Sequence, residues 1–277
     1  MRAELDWHTA RALLEWHIEL GATEAIGDAP VDRFALAAIE APAQAPAPVN
    51  NPPVAPEPGN GAPAGPAQPV SAASGPDPLA EATRLAQAAP DLVSLAEALA
   101  GFPHCELRKG ARSCVFADGD ARARVMIIGE APGSEEDRRG LPFVGPAGQL
   151  LDAMFAEIGL RRDSPDPAAA LYITNPVPWR PPGNRDPSAE ELAMLRRFLF
   201  RHVELAAPDI IVLMGNTACQ TVLQRRGIMR LRGQWQQALG RPVLPTLHPA
   251  GLLRTPENRR LVWADLLSLK SRLREMP

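Results

Sequence analysis

The 277-residue chain lacks several features that would assign it to a membrane or to the extracellular space. It has no run of 18 apolar residues, which excludes an ordinary transmembrane helix. Its first residues, MRAELDWHTAR, carry acids and contain no apolar core of the kind that secretory signals have. It has three cysteines, Cys105, Cys114 and Cys219, and no CxxC pair. A disulfide framework is therefore excluded, and we expect a cytoplasmic protein with free thiols.

The net charge of −3 is small, but it is distributed unevenly. Residues 1–100 hold 13 acidic residues against 4 arginines, a net charge of −9. Residues 101–277 hold 25 basic against 19 acidic residues, a net charge of +6. The second part is therefore compatible with a polyanionic partner, although a charge of this size does not identify one.

Composition divides the chain into three parts. Residues 1–40 begin with a roughly helical apolar stripe, which predicts a helix. This helix could dock on its own protein, be weakly ordered, or dock on a protein partner. Residues 41–78 contain 12 of the 31 prolines and almost no aliphatic residues, so we expect a flexible, partly polyproline linker. Residues 79–277 regain ordered character and are predicted to form the main folded domain, which holds the candidate functional residues.

Short apolar runs alternate with helical patterns in this third part. The runs, which predict buried strands, are 125–129, 171–175, 210–215 and 243–247. Helices are predicted within 79–101 and at 146–159, 188–206, 216–226 and 257–275, with Ser188 as an N-cap. This alternation predicts an α/β fold, a three-layer α/β/α sandwich with a central four-stranded parallel sheet.

Ligands of such sheets bind beyond the carboxyl ends of the strands, where this chain places an acid, an amide and an imidazole. Glu130, Asn175 and His248 follow the first, second and fourth runs, and Phe143 lies in a glycine-flanked loop. An amide suits the edge of a nucleobase, and an exposed aromatic ring offers a stacking surface. Taken singly, Asn175 could be a turn residue, Phe143 a core residue and His248 a structural histidine.

Two loops near these residues carry candidate DNA contacts. Arg180 and Arg185 lie in the proline-rich segment PVPWRPPGNRDP, where they could follow phosphates or form a solvated surface. Leu252, Leu253 and Arg254 follow His248, and leucines exposed in a loop could enter a base stack or pack beneath the last helix.

Together these segments resemble the uracil-DNA glycosylase superfamily, and its family 4 in particular. The resemblance covers about residues 85–275. It is carried by GEAPG with the downstream ED and PFVG (129–145), TN followed by RPPGNRDP (174–187), MG (214–215), LRG (231–233) and HPAGLLR (248–254). It implies a hydrolase that extrudes deoxyuridine from damaged DNA, breaks its N-glycosidic bond and leaves an abasic site in base excision repair.

The resemblance also implies a role for each matching position. Phe143 would stack on uracil, Asn175 would read its polar edge, and the backbone near Ala131 would hold it. His248 would stabilise charge on the leaving base. Glu130 would position water and stabilise the cationic sugar, assisted by Asp137. Residues 248–254 would enter the minor groove. Uracil-containing DNA is thus the expected partner of an expected monomer.

One departure from the family is large. Family 4 carries a [4Fe–4S] cluster on four cysteines, and only Cys105 occupies a matching position here. The other positions hold Phe102, Trp179 and Leu195. A four-cysteine cluster cannot form on these residues, so we expect no cofactor and apolar packing in its place.

Two other functions stay open at this stage. A glycosylase could accept a wider range of deaminated bases, including hypoxanthine. A DNA-damage binding module could retain the pocket without catalysis. No lysine follows the strands, which argues against a lyase that acts through a Schiff base and favours a monofunctional glycosylase.

Overall fold

The computed structural model describes residues 77–276, which form a mixed α/β fold around one sheet. The predicted helix within 1–40 and the predicted linker up to residue 76 lie outside the described residues. The strands are β1 (Ala117–Gly119), β2 (Val125–Ile128), β3 (Leu171–Thr174), β4 (Ile210–Met214), β5 (Gln236–Ala238) and β6 (Arg241–Thr246). The helices are α1 (Pro78–Ala88), α2 (Leu92–Gly101), α3 (Leu107–Gly110), α4 (Ser134–Arg139), α5 (Pro146–Ala156), α6 (Ala189–Ala206), α7 (Asn216–Leu223), α8 (Ile228–Leu231), α9 (Pro249–Arg254) and α10 (Arg259–Glu275). In this part of the chain no helix is long and apolar enough to cross a membrane.

The sheet has six strands in the order β1-β3-β2-β4-β6-β5. β3, β2, β4 and β6 pair in parallel, whereas β1 and β5 pair antiparallel at the two edges. The prediction of four strands was therefore incomplete. Each edge strand has three residues and remains partly exposed, so neither produces the apolar run that marks a central strand.

The sheet packs against helices on both faces. Side chains of one face, including Ile127, Ile173 and Val212, pack against α5, α9 and α10. Side chains of the other face, including Met126 and Ile211, pack against α6, α7 and α8. Because both faces are covered, the strands are apolar at nearly every position instead of alternating.

The predicted helices are present, with small shifts at their ends. Ser188 caps α6 as predicted: its hydroxyl accepts from the Glu191 N–H at 3.2 Å, and the Glu191 carboxylate accepts from the Ser188 N–H at 2.7 Å. The helix predicted at 216–226 ends at Leu223, because Gln224 adopts a left-handed backbone conformation with φ 55°.

A separate apolar cluster joins α1, α2 and α6. It contains Phe102, Trp179 and Leu195, all buried, together with Cys105. The prediction that these three residues pack together in an apolar environment is confirmed.

Candidate active site

The register of the parallel strands brings the predicted residues to one edge of the sheet. Ile128 of β2 pairs with Thr174 of β3 and with Leu213 of β4. One residue further on, Gly129 therefore lies beside Asn175. β3 and β4 lie on opposite sides of β2, so the order in which successive strands are added to the sheet reverses at β2. Ligand sites of open α/β sheets lie at such switch points.

Glu130 follows β2 and is anchored at the start of α7. Its Oε1 accepts a hydrogen bond from the Thr217 N–H at 3.2 Å. A helix N-terminus favours a carboxylate, because the backbone N–H groups there carry partial positive charge. Gly215 lies against the carboxylate, and a Cβ at this position would overlap Oε1. Among residues 77–276 the hydrogen bond to this carboxylate is the one that Thr217 donates to Oε1.

Phe143 occupies a tight space that two glycines provide. Its φ of 53° lies in the left-handed region, which is uncommon for a residue with a side chain. A Cβ on Gly129 would lie 2.5 Å from the Phe143 ring, and a Cβ on Gly148 of α5 would overlap the Phe143 carbonyl. The ring stacks on the His248 imidazole with centroids 5.2 Å apart and planes inclined by 27°.

Asn175 follows β3 and is 7% exposed. Its Oδ1 is buried and has no hydrogen-bond partner among the described residues. Buried polar atoms without a partner are rare, because desolvation without a replacement hydrogen bond costs about 1–3 kcal/mol. The orphaned acceptor therefore indicates a place where a ligand donates a hydrogen bond.

His248 follows β6 and caps α9. Its Nδ1 accepts from the Ala250 N–H at 3.2 Å. Burial lowers the pKa of His248, although the Glu130 carboxylate acts in the opposite direction. A neutral imidazole that accepts at Nδ1 carries its proton on Nε2, so the ring presents one N–H donor to the site.

These side chains line two adjoining clefts. The first, about 190 Å³, is bordered by Ala131, Gly133, Glu136, Phe143, Ala147, Asn175, His248 and Ala250. The second, about 360 Å³, shares three of these residues and adds Glu130, Gly215, Asn216 and Arg254, among others. An aromatic ring, an amide, an imidazole and a carboxylate therefore converge on one site.

Comparison with known proteins decides the family. Residues 116–267, more than half of the chain, match the model of the uracil DNA glycosylase superfamily. The chain belongs to this superfamily. It is 40% identical over 172 residues to a type-4 uracil-DNA glycosylase of Thermotoga maritima, covering 60% of this chain and 86% of the relative. Type-4 enzymes of Archaeoglobus fulgidus and Sulfurisphaera tokodaii are 38% and 34% identical, covering 58% and 65% of this chain and 82% and 83% of the relatives.

These relatives place the chain in the type-4 family. In the structure, three of the residues predicted from the sequence are buried or already paired. Asp137 is buried and does not line either cleft; its Oδ1 accepts from the N–H groups of Arg112 and Ser113 at 2.8 and 3.2 Å. Arg185 forms a two-point ion pair with Glu191 at 2.7 and 2.9 Å, so its guanidinium is not a free phosphate ligand.

Leu252 is fully buried in the core beneath α9 and cannot enter a base stack. The segment after His248 is a helix and not a loop, and it turns Leu252 inward. Leu253 is 45% exposed, and Arg254 is also exposed at the end of the helix. Arg180 donates through Nε to Asn184 at 3.0 Å.

Two residues at or beside these clefts were not singled out from the sequence. Glu136 lines the first cleft and accepts from the N–H groups of Val144 and Gly145 at 2.9 and 2.8 Å. Its position three residues after Gly133, which caps α4, is a capping-box spacing that could have indicated it. Arg162 contacts the loop that carries Phe143, and no local pattern marks it.

Proposed function

We propose that this protein is a monofunctional uracil-DNA glycosylase, which hydrolyses the N-glycosidic bond of an extruded deoxyuridine and leaves an abasic site. The observation that carries the proposal is the buried, unpartnered Oδ1 of Asn175 beside an aromatic ring and a neutral imidazole donor. Membership of the type-4 family supports it.

Asn175 selects the base in this proposal. Uracil presents an N3–H donor next to the O4 acceptor, and a primary amide offers the complementary acceptor and donor. Cytosine presents an acceptor at N3 and an amino donor at C4. With Oδ1 in its present position, cytosine would leave that buried oxygen without a donor, and polar sites of this kind discriminate strongly against such a ligand. Phe143 supplies the surface on which the base stacks.

His248 and Glu130 act on the bond itself. The C1′–N1 bond breaks with its electron pair moving to the base, so negative charge grows on the uracil carbonyl oxygens. The Nε2–H of His248 donates to the oxygen that bears this charge, in a site from which water is largely displaced. Glu130 holds a water molecule through Oε2, stabilises the cationic sugar and takes the water proton as the oxygen bonds to C1′.

The exposed residues of α9 contact DNA in this proposal. Leu253 enters the base stack where the deoxyuridine leaves it, and Arg254 lies beside a phosphate. Arg180 lies near a phosphate on the other side of the cleft. Extrusion is required because the glycosidic bond is inaccessible inside a duplex.

The residues present do not fit the iron–sulfur cluster of the family. A [4Fe–4S] cluster needs four thiolates, and the matching positions hold Cys105 with Phe102, Trp179 and Leu195. Burial raises the pKa of the Cys105 thiol, and it raises the pKa of Cys114 to about 11. Within residues 77–276 no three His, Cys, Asp or Glu residues are grouped to hold a metal ion. We therefore propose that this protein functions without the cluster.

Two substitutions test the catalytic proposal. Glu130→Gln and His248→Ala should each slow single-turnover cleavage of a uracil-containing strand by roughly 10²-fold or more. Affinity for a 2′-fluoro-deoxyuridine strand, which resists hydrolysis, should change by less than about tenfold. Equal losses of rate and affinity would instead indicate a damage-binding module.

Iron analysis tests the cofactor proposal. Protein purified without oxygen should contain no stoichiometric iron or labile sulfide and should still cleave uracil-containing DNA. Four irons per chain, with activity lost on their removal, would overturn it.

A further inference from the structure

Phe143 is held in its position by charged groups on both sides of its loop. Its backbone is in the left-handed region, and residues in such conformations persist only when their surroundings determine them strongly. The N–H groups of Val144 and Gly145 bind Glu136. The preceding carbonyl groups, of Pro142 and Phe143, bind Arg162.

Arg162 uses its whole guanidinium in this contact. Nη1 donates to the Pro142 carbonyl at 3.0 Å, and Nη2 donates to the Phe143 carbonyl at 2.9 Å. Nη1 also donates to Asp118 at 2.8 Å, and Nε donates to Asp152 at 2.8 Å. The side chain is 14% exposed. With two carboxylates and two carbonyls as acceptors, little of it remains for a DNA phosphate.

The two anchors connect the loop to rigid elements. Asp118 lies in β1 at the edge of the sheet, and Asp152 lies in α5. Only a planar fork of donors can reach these carboxylates and two successive carbonyls together, so lysine could not replace the arginine without losing contacts.

We propose that Arg162 is a positioning residue that fixes the Phe143 ring for stacking on the extruded base. It binds the carbonyls of Pro142 and Phe143 and does not touch the substrate. The inference rests on the proposed glycosylase function. Arg162 lies outside the sequence motifs that resemble the family, and it would contribute to base binding through Phe143.

A double-mutant cycle with Phe143 tests this proposal. Arg162→Gln should lower the single-turnover rate on a single-uracil strand by about 10- to 100-fold, because small misplacements at a site are costly. If Arg162 acts through Phe143, Arg162→Gln should cost little further in a Phe143→Ala background, within about threefold. Independent effects would multiply and overturn the proposal. A wild-type protein that fails to cleave uracil would instead overturn the proposed function.

Three comparisons separate positioning from other roles. Arg161→Gln is the matched control, because Arg161 is the adjacent arginine and, among residues 77–276, its side chain hydrogen-bonds to the exposed Asp163. The rate of this variant should stay within about twofold of wild type. The salt dependence of DNA binding should be the same for Arg162→Gln and wild type, whereas loss of a phosphate contact would reduce the slope of log affinity against log salt concentration.

Asp152→Asn is a second variant for the case that Arg162→Gln does not fold. It removes one anchor and should give a smaller loss of single-turnover rate, which is again absent in the Phe143→Ala background. A full Asp152→Asn effect in that background would overturn the proposal.

Discussion

Gly129 is the residue on which the shape of the base cleft depends most directly. A Cβ at this position would overlap Asn175 Oδ1 and lie 2.5 Å from the Phe143 ring. The absence of a side chain on Gly129 therefore makes room for both groups. Neither group can move away easily from an added Cβ, because the Phe143 ring stacks on His248 and the Asn175 amide is buried.

Gly129→Ala should therefore disrupt the cleft more than the fold. We expect a loss of about 10²-fold or more in single-turnover rate, with a stability cost of about 1–3 kcal/mol from overpacking. Gly101→Ala is the control, because a Cβ there would meet nothing within 4 Å; its rate should be unchanged. A Gly129→Ala variant with the wild-type rate would contradict the geometry described here.

The sequence predicts which residues come together at the strand ends, but it does not predict the hydrogen-bond partners that hold them. An apolar run ends at or just before each of Glu130, Asn175 and His248. Because the carboxyl ends of parallel strands share one edge of the sheet, this position alone predicts that the three residues lie close together. The sequence does not show which of the adjacent acids Glu136 and Asp137 faces the cleft; in the structure Glu136 lines it. Arg162 acts through contacts with residues up to 44 positions away, which no local pattern reveals.

At the scale of elements, helix α9 shows where local composition misleads. Pro249 and Gly251 suggest a loop, yet proline is favoured in the first turn of a helix and His248 provides the cap. Adjacent residues of a helix are separated by about 100° around its axis, so Leu252 lies in the core while Leu253 is 45% exposed. The edge strands were missed for a related reason, since their polar residues give no apolar run.

Leu252→Ala and Leu253→Ala are a matched pair that tests this assignment. Leu252→Ala should lower the free energy of unfolding by about 2–5 kcal/mol, because it leaves a cavity in the core. Leu253→Ala should leave stability nearly unchanged and weaken activity on duplex more than on single-stranded substrate, since extrusion from a single strand requires less unstacking. Thermal denaturation and cleavage assays on both variants check this, and the reverse pattern would refute the inward orientation of Leu252.

At the scale of the whole molecule, His202 links stability to pH. It is buried in α6, accepts or donates a 2.8 Å hydrogen bond with the Tyr172 hydroxyl and stacks on Phe116. Burial lowers the pKa of His202 to about 3. Between pH 6.5 and 3 the unfolded chain therefore binds a proton at this site that the folded chain does not, and stability falls as the pH falls.

The size of this effect is about 1.4 kcal/mol per pH unit below 6.5. Urea denaturation at pH 7 and pH 5 should show wild type losing about 2 kcal/mol more than His202→Gln, in which the titrating group is absent. Other groups contribute equally to both proteins. Identical losses in the two would show that His202 titrates normally in the fold.

The division of the chain also belongs to this scale. We propose that residues 1–40 form an interaction helix and that the proline-rich segment after it is a linker. Among the described residues, the first helix, α1, begins at Pro78 and is capped by Asp77, whose side chain accepts from the Leu79 N–H at 3.1 Å. Deleting residues 1–76 should leave cleavage of a naked oligonucleotide intact and tighten DNA binding, since this segment is acidic. Loss of activity would show instead that it belongs to the catalytic fold.

Cleavage of a labelled single-uracil oligonucleotide, revealed by alkali at the abasic site, tests whether this protein is a uracil-DNA glycosylase. Matching strands with cytosine, thymine and hypoxanthine are treated in parallel, together with Glu130→Gln. Wild type should cut at uracil alone, and the variant should cut almost nowhere. Cutting at hypoxanthine would show a broader base range than Asn175 implies, and binding without cutting at any base would contradict the assignment of a glycosylase.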